Sequence, residues 1–218
     1  MNETADTKTR ILDSAEKLFG LRGIEETSLR DITTHAQVNL AAVNYHFQSK
    51  DSLIDAVIAR RVEPVNRRRL ELLDATGPEA TVEQILTAFL TPALEIRLEC
   101  VVPMLGRILS NPLFVDRVYK RHFAVISERL RAALGRALPG LSKQEILWRQ
   151  IFTVGAMTHV MAVGEILPAI TGGVCDISDR PAVVQHAVRF LAAGFRAAGE
   201  VESGGYTAGN ELITRSNV

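Results

Sequence analysis

Between Thr27 and Lys50 the apolar positions fall into two short helical patterns separated by a break, and a third pattern begins at once. In the first, Leu29, Ile32 and Ala36 share one face, Arg30 and Thr34 lie elsewhere, and Thr27 or Ser28 can cap the start. Gln37 to Asn39 interrupts the pattern, with Val38 as the apolar plug of a turn and Asn39 as the N-cap of a second helix from about Leu40 to Phe47. Val43 and Phe47, four apart, form the inward edge of that helix, while Leu40, Ala41, Ala42, Asn44, Tyr45 and His46 cover the rest. Ser49 is placed to cap a long helix from Lys50 to about Asp74, which ATGPEA breaks. Upstream, Ile11, Leu12, Ala15, Leu18 and Phe19 have core spacing, and Gly23 is a C-terminal stop.

From Thr81 onward the pattern stays helical, without the alternation of strands. One helix starts at Thr81 with Ile85, Leu86, Phe89 and Leu90 as its stripe, and Pro92 kinks or ends it. A short helix is expected over Pro103 to Leu109, and a long one from Pro112 to Leu138. Ser142 should cap the next, with Glu145 completing a capping box, and a last helix runs from about Pro181 to Ala198. The pattern predicts an all-α chain. Residues 1–59 form a three-helix helix-turn-helix domain including the start of a connecting helix, 60–198 a second helical domain, and 199–218 a loose polar tail.

The outer face of the Leu40–Phe47 helix suits the major groove of DNA. Ala41 and Ala42 are small enough for close approach and can touch a thymine methyl, and Asn44 carries the amide that pairs bidentately with adenine. Tyr45, His46 and Lys50 suit phosphate, fixing register without reading sequence. The stretch VNLAAVNYHFQSKDSLIDAV resembles the recognition helix and following helix of TetR-type transcriptional regulators, a likeness covering about Thr7 to Ala59. It implies phosphate contacts at Thr27, Ser28, Tyr45, His46 and Lys50, and base-facing positions at Arg30, Leu40, Ala41, Ala42 and Asn44. Two residues depart from the family pattern, Gln37 where the turn usually has Gly and Asn44 where an aromatic is usual. The first implies some strain in a left-handed turn position, the second an altered operator preference.

Composition narrows this reading. Lys plus Arg and Asp plus Glu number 25 each, so affinity for DNA must come from local geometry rather than overall basicity. Arg60, Arg61, Arg67, Arg68 and Arg69 form a basic cluster, expected to be a solvated face or an interdomain salt-bridge set. Cys100 and Cys175 have no metal-ligand spacing, the five histidines form no metal motif, and no GxSxG, Walker loop or dinucleotide fingerprint occurs. No catalytic residue, metal or cofactor is expected. No apolar run reads as long enough to cross a bilayer and the N-terminus lacks the apolar core of a signal peptide, so a cytoplasmic protein is expected.

Two late helices carry a further clue. IFTVGAMTHVMAVGEIL is apolar or small nearly all round, and AVVQHAVRFLAAGFRAA adds the stripe Val184, Val188, Leu191 and Phe195. They either close the chain's own core or pair with a second copy, and the family resemblance implies a homodimer on an inverted-repeat operator. The resemblance also implies a small-molecule effector. Met104, Leu105, Ile108, Phe114, Phe123, Trp148, Phe152 and Met161 could surround an apolar guest, with Arg107, His122, Arg149 and His159 as polar anchors, although each could equally serve the core or a local salt bridge. VNLAAVNYHF together with EILWRQIFTVGAM is similar to the PsrA-type branch, which implies a fatty acid or acyl-CoA effector. The rival reading is a helical protein-interaction adaptor that does not bind DNA.

Overall fold

A computed structural model describes residues 3–95 and 112–198 of the chain. Met104, Leu105, Arg107, Ile108, Cys100, the helix expected over Pro103 to Leu109, the side chain of Phe114 and the tail from 199 lie outside the described residues.

The described residues are helical throughout, without a strand. Helix α1 spans Glu3–Arg22, α2 Leu29–Ala36, α3 Leu40–Phe47, α4 Lys50–Ala75 and α5 Val82–Leu94. After the gap come α6, Pro112–Val118, and α7, Ala124–Ala137, joined through a π-helical turn over Tyr119–Phe123. Helix α8 is Lys143–Val163, the short α9 Leu167–Ile170 and α10 Arg180–Arg196.

Two apolar clusters account for the architecture. Ile11, Ala15 and Phe19 of α1, Ile32 and Ala36 of α2, Val43 and Phe47 of α3, and Leu53, Ile54, Val57, Ile58 and Val62 of α4 close the first. The second takes over on the same helix with Val65 and Leu73, joined by α5, α7, α8 and α10. The handover falls at Pro64, whose missing amide removes one rung of the α4 ladder. One helix thus belongs to both cores, so a change in the second reaches the first along a rigid element.

A second bridge was not legible in the pattern. The continuous helix expected from Pro112 to Leu138 is interrupted where the Ala124 amide reaches back to the Tyr119 carbonyl, and the extra residue in that turn redirects the side chains that follow. Val118 therefore joins the first cluster, Ile126 and Leu130 the second, and Phe123 packs against both. Arg117 pairs with Asp51 at 2.7 Å and Arg121 with the buried Asp55 at 3.1 Å, clamping this segment to the start of α4.

The arginine cluster divides. Arg60 pairs with Asp13 and Arg61 with Glu16, tying α4 to α1, while Arg67 and Arg68 are exposed. Arg69 departs from both expected roles, because it is buried in the second core. The capping box expected at Ser142 is only half formed: Ser142 Oγ accepts from the Glu145 amide at 3.2 Å, but the Glu145 carboxylate turns to Arg149 at 2.8 Å.

Candidate nucleic-acid interface

The two helices of the motif are fixed at every end. Ser28 caps α2 by accepting from the Asp31 amide at 3.1 Å, and the Asp31 carboxylate accepts from the Ser28 amide at 2.8 Å, a reciprocal box. These bonds to Ser28 hold the Asp31 carboxyl below its ordinary pKa. At the other end Gln37 adopts φ 54°, ψ 47°, the left-handed conformation the turn requires. Arg10, unremarked in the sequence, reaches across from α1 and donates to the Ala36 and Gln37 carbonyls at 2.6 and 3.0 Å. It satisfies C-terminal acceptors of α2 that the helix itself leaves open.

Asn39 caps α3 by accepting from the Ala42 amide at 2.8 Å, and Val43 and Phe47 anchor the helix in the first cluster. With that edge fixed, Leu40, Ala41, Asn44 and Tyr45 are exposed and Ala42 and His46 half-buried. Tyr45 is 76% exposed, far more than an aromatic that fills a core. Its ring meets His46 edge-on at 5.1 Å between centroids. Gln48, at φ 65° and ψ −39°, closes a tight turn in which the Ser49 amide donates to the Phe47 carbonyl at 2.7 Å. Ser49 then caps α4 by accepting from the Ser52 amide, which leaves Lys50 half-buried in the first turn, beside the exposed end of α3.

The structure gathers most of the expected set and removes one member. Arg30 is exposed on α2, and Ser28 is exposed while capping it. Thr27 is fully buried, its hydroxyl donating to the Gly23 carbonyl at 2.7 Å, so its side chain holds the α1–α2 connection and does not meet a phosphate.

The expected effector residues do not converge. His122 and Phe123 sit in the π turn between the two cores, and burial lowers the His122 pKa despite the nearby Asp55 charge. His159 is exposed on α8. Arg149 is a helix clamp: it pairs with Glu145 and donates to the Gly194, Phe195 and Ala197 carbonyls at the end of α10, at 3.0, 2.7 and 3.0 Å. Trp148 and Phe152 stack at 5.9 Å on the outer surface, 50% and 62% exposed, and with Phe190 line an open groove of about 820 Å³. Their spacing puts them on the side of α8 opposite Thr153 and Met157, which face the core.

By length and composition α8 could also cross a bilayer, contrary to the expectation that no run would, although only 22% of its apolar window is buried within the chain. It nevertheless carries Glu145 and Arg149 in a fixed ion pair and lies against α7 and α10.

Capped helices, a left-handed turn between them and an exposed polar-aromatic face define a helix-turn-helix protein with an all-helical second domain. Comparison with known proteins agrees: residues 11–57 match the family described as bacterial regulatory proteins, tetR family, and residues 87–194 the tetracyclin repressor-like C-terminal domain. The chain belongs to the TetR family of transcriptional regulators, which is not a family of enzymes. The regulator SrpR of Pseudomonas putida is 32% identical over 88 residues, 40% of this chain and 40% of that protein. The repressor BepR of Brucella suis biovar 1 is 31% identical over 90 residues, 40% of this chain and 43% of that one. The match thus spans about two fifths of the length of these relatives. Among solved structures, the fatty acid degradation regulator FadR from Bacillus halodurans superposes with a TM-score of 0.64 at 16% identity, over 87% of this chain and 96% of that one.

Proposed function

We propose that the protein is a repressor that binds an inverted-repeat DNA operator as a homodimer and is released by a small, mainly apolar effector, a fatty acid or acyl-CoA. The observation that carries the DNA-binding reading is the exposed face of α3: Leu40, Ala41, Asn44 and Tyr45 point outward while Val43 and Phe47 lock the helix, and Lys50 follows at once. Ala41, Ala42 and Asn44 read base edges, with Leu40 and Arg30 at the margins of the same surface. Tyr45, His46, Lys50 and Ser28 hold phosphates and set register.

The dimer reading rests on the outer face of α8 and α10. Trp148, Ile151, Phe152 and Phe190 are each at least half exposed, an apolar surface larger than a monomer ordinarily leaves wet. A second copy covers it by four-helix packing and places two α3 helices about 34 Å apart, one turn of DNA. An operator of that kind places the protein in the cytoplasm.

Effector binding in the second core moves α4, which both cores share, and changes the separation of the two reading heads. The fatty acyl identity draws on the sequence likeness to the PsrA-type branch and on the apolar lining of the second cluster. The EILWRQIFTVGAM stretch contributes to the interface instead, since its Trp148 and Phe152 face outward.

Selection of bound sequences from a random duplex pool tests the reading. Enrichment of a two-fold symmetric motif is expected. No enrichment by a folded dimer would remove it and favour a helical adaptor.

A further inference from the structure

The second domain buries a full positive charge that nothing in the described residues neutralises. Arg69 is 4% exposed, on the inner face of α4 between α5 and α8. Its Nε donates to the Phe89 carbonyl at 2.8 Å, Nη1 to Asn66 Oδ1 at 3.2 Å and Nη2 to Met157 Sδ at 3.1 Å. The guanidinium lies over the Phe89 ring, 4.1 Å from its centroid. No carboxylate among the described residues pairs with it.

A guanidinium carries five N–H groups, so one on each terminal nitrogen has no protein acceptor, and a thioether is a weak acceptor for a third. Desolvation lowers the Arg69 pKa to about 10, which leaves the group charged at neutral pH. An isolated buried cation is among the costlier things a core can contain, and an apolar side chain would fill the same stripe, whose other members include Val62, Val65 and Leu73. A second polar atom nearby is also unsatisfied. His122 Nε2 is buried without a partner, and Asn66, which accepts from Arg69, donates to the His122 carbonyl at 2.6 Å. Phe123, Met161 and Val160 pack half-buried against the same cluster, so the polar atoms are set in an apolar wall.

The geometry points to Arg69 as the anion-recognising group of the effector site, and to a monocarboxylic acid with an apolar body as its ligand. One carboxylate brings one charge and two acceptor oxygens, matching one cation with an open N–H on each terminal nitrogen. The phosphates of a CoA ester bring more negative charge than one guanidinium offsets, and a thioester carbonyl brings none. The inference rests on the reading of the second domain as an effector site and selects the free acid within it. The competing role for Arg69 is a clamp joining α4, α5 and α8.

Melting and calorimetry on the full chain separate the two. The wild type is titrated with carboxylates from hexanoate to palmitate, and with the methyl ester and the amine of the same chain length as the tightest acid. The acid should raise Tm, and the ester and amine should not. Arg69→Met should fold, melt at or above the wild type, and bind the acid about tenfold or more weakly. Arg69→Lys, which keeps the charge without the fork, should fall between. Equal response to acid and ester, no carboxylate binding in the series, or an Arg69→Met chain that loses its fold would each overturn the proposal. Operator affinity of the unliganded protein is measured alongside. DNA binding without carboxylate binding defeats only this inference, whereas carboxylate binding through Arg69 without DNA binding defeats only the repressor reading.

Discussion

The two halves of the chain distribute polarity in opposite ways. The first domain closes its apolar residues into a core of its own and turns polar groups outward, apart from a few such as Thr27 and Asp55 that are hydrogen-bonded or ion-paired within it. The second leaves Trp148, Phe152 and Phe190 in solvent and buries an unpaired Arg69. A surface finished in this way can meet a polar polymer such as DNA without rearrangement. A domain left apolar outside and charged inside is incomplete as a single chain, and becomes complete with a second copy on its surface and an anion in its core.

The largest effect should come from disturbing the unfinished surface. Phe152→Glu combined with Phe190→Glu places charge where the partner docks, and both side chains are exposed in the single chain, so helical content should be unchanged. Sedimentation should show a monomer, with operator affinity lower by about a hundredfold or more because the second half-site no longer benefits from linkage. A dimer that survives both charges would mean that another face pairs.

Smaller losses are expected on the finished surface, and they should differ in kind. Lys50→Ala should weaken binding to all sequences alike and reduce the salt slope of log K by about one. Asn44→Ala should cost about 1–3 kcal/mol at one base pair and relax preference there. Affinity measured across single-base operator variants distinguishes the two, and an unchanged profile for Asn44→Ala would reject its base-reading role.

The smallest effect concerns the turn between the helices. Gln37 has φ 54°, so Gln37→Gly removes a left-handed side-chain penalty and should raise stability by about 1 kcal/mol or less in denaturant melts, with operator preference unchanged. A destabilised variant would show that the Gln37 side chain contributes more than its backbone strain costs.

The same contrast explains what could be read from the sequence. The motif helices were legible because they are specified locally: Ser28, Asn39 and Ser49 each cap a helix at the residue where the pattern begins. Arg10 was not, because its acceptors lie 26 and 27 residues away and only the fold brings them together. The second domain was harder. Its helices follow the apolar pattern, but periodicity cannot say whether an apolar face is covered by the same chain or by another, and so Trp148, Arg149 and Phe152 looked like a ligand pocket. The turn over Tyr119–Phe123 carries no composition signal, since one extra residue in a helix changes hydrogen bonding and not residue type. Arg69 did leave a trace. It falls in step with Val62, Val65, Asn66 and Leu73, at a position the helical period assigns to the core, and a charged residue there is the kind of local inconsistency that marks function.

The most direct test of a two-headed reader is the spacing of its half-sites. Once a symmetric operator is selected, inserting about five base pairs, half a helical turn, between its halves rotates one half-site to the far side of the duplex. Affinity should fall to that of a single half-site, and inserting about ten base pairs should leave one half-site out of reach as well. Affinity that is unchanged by either insertion would contradict the fixed pair of α3 helices, and with it the dimeric repressor.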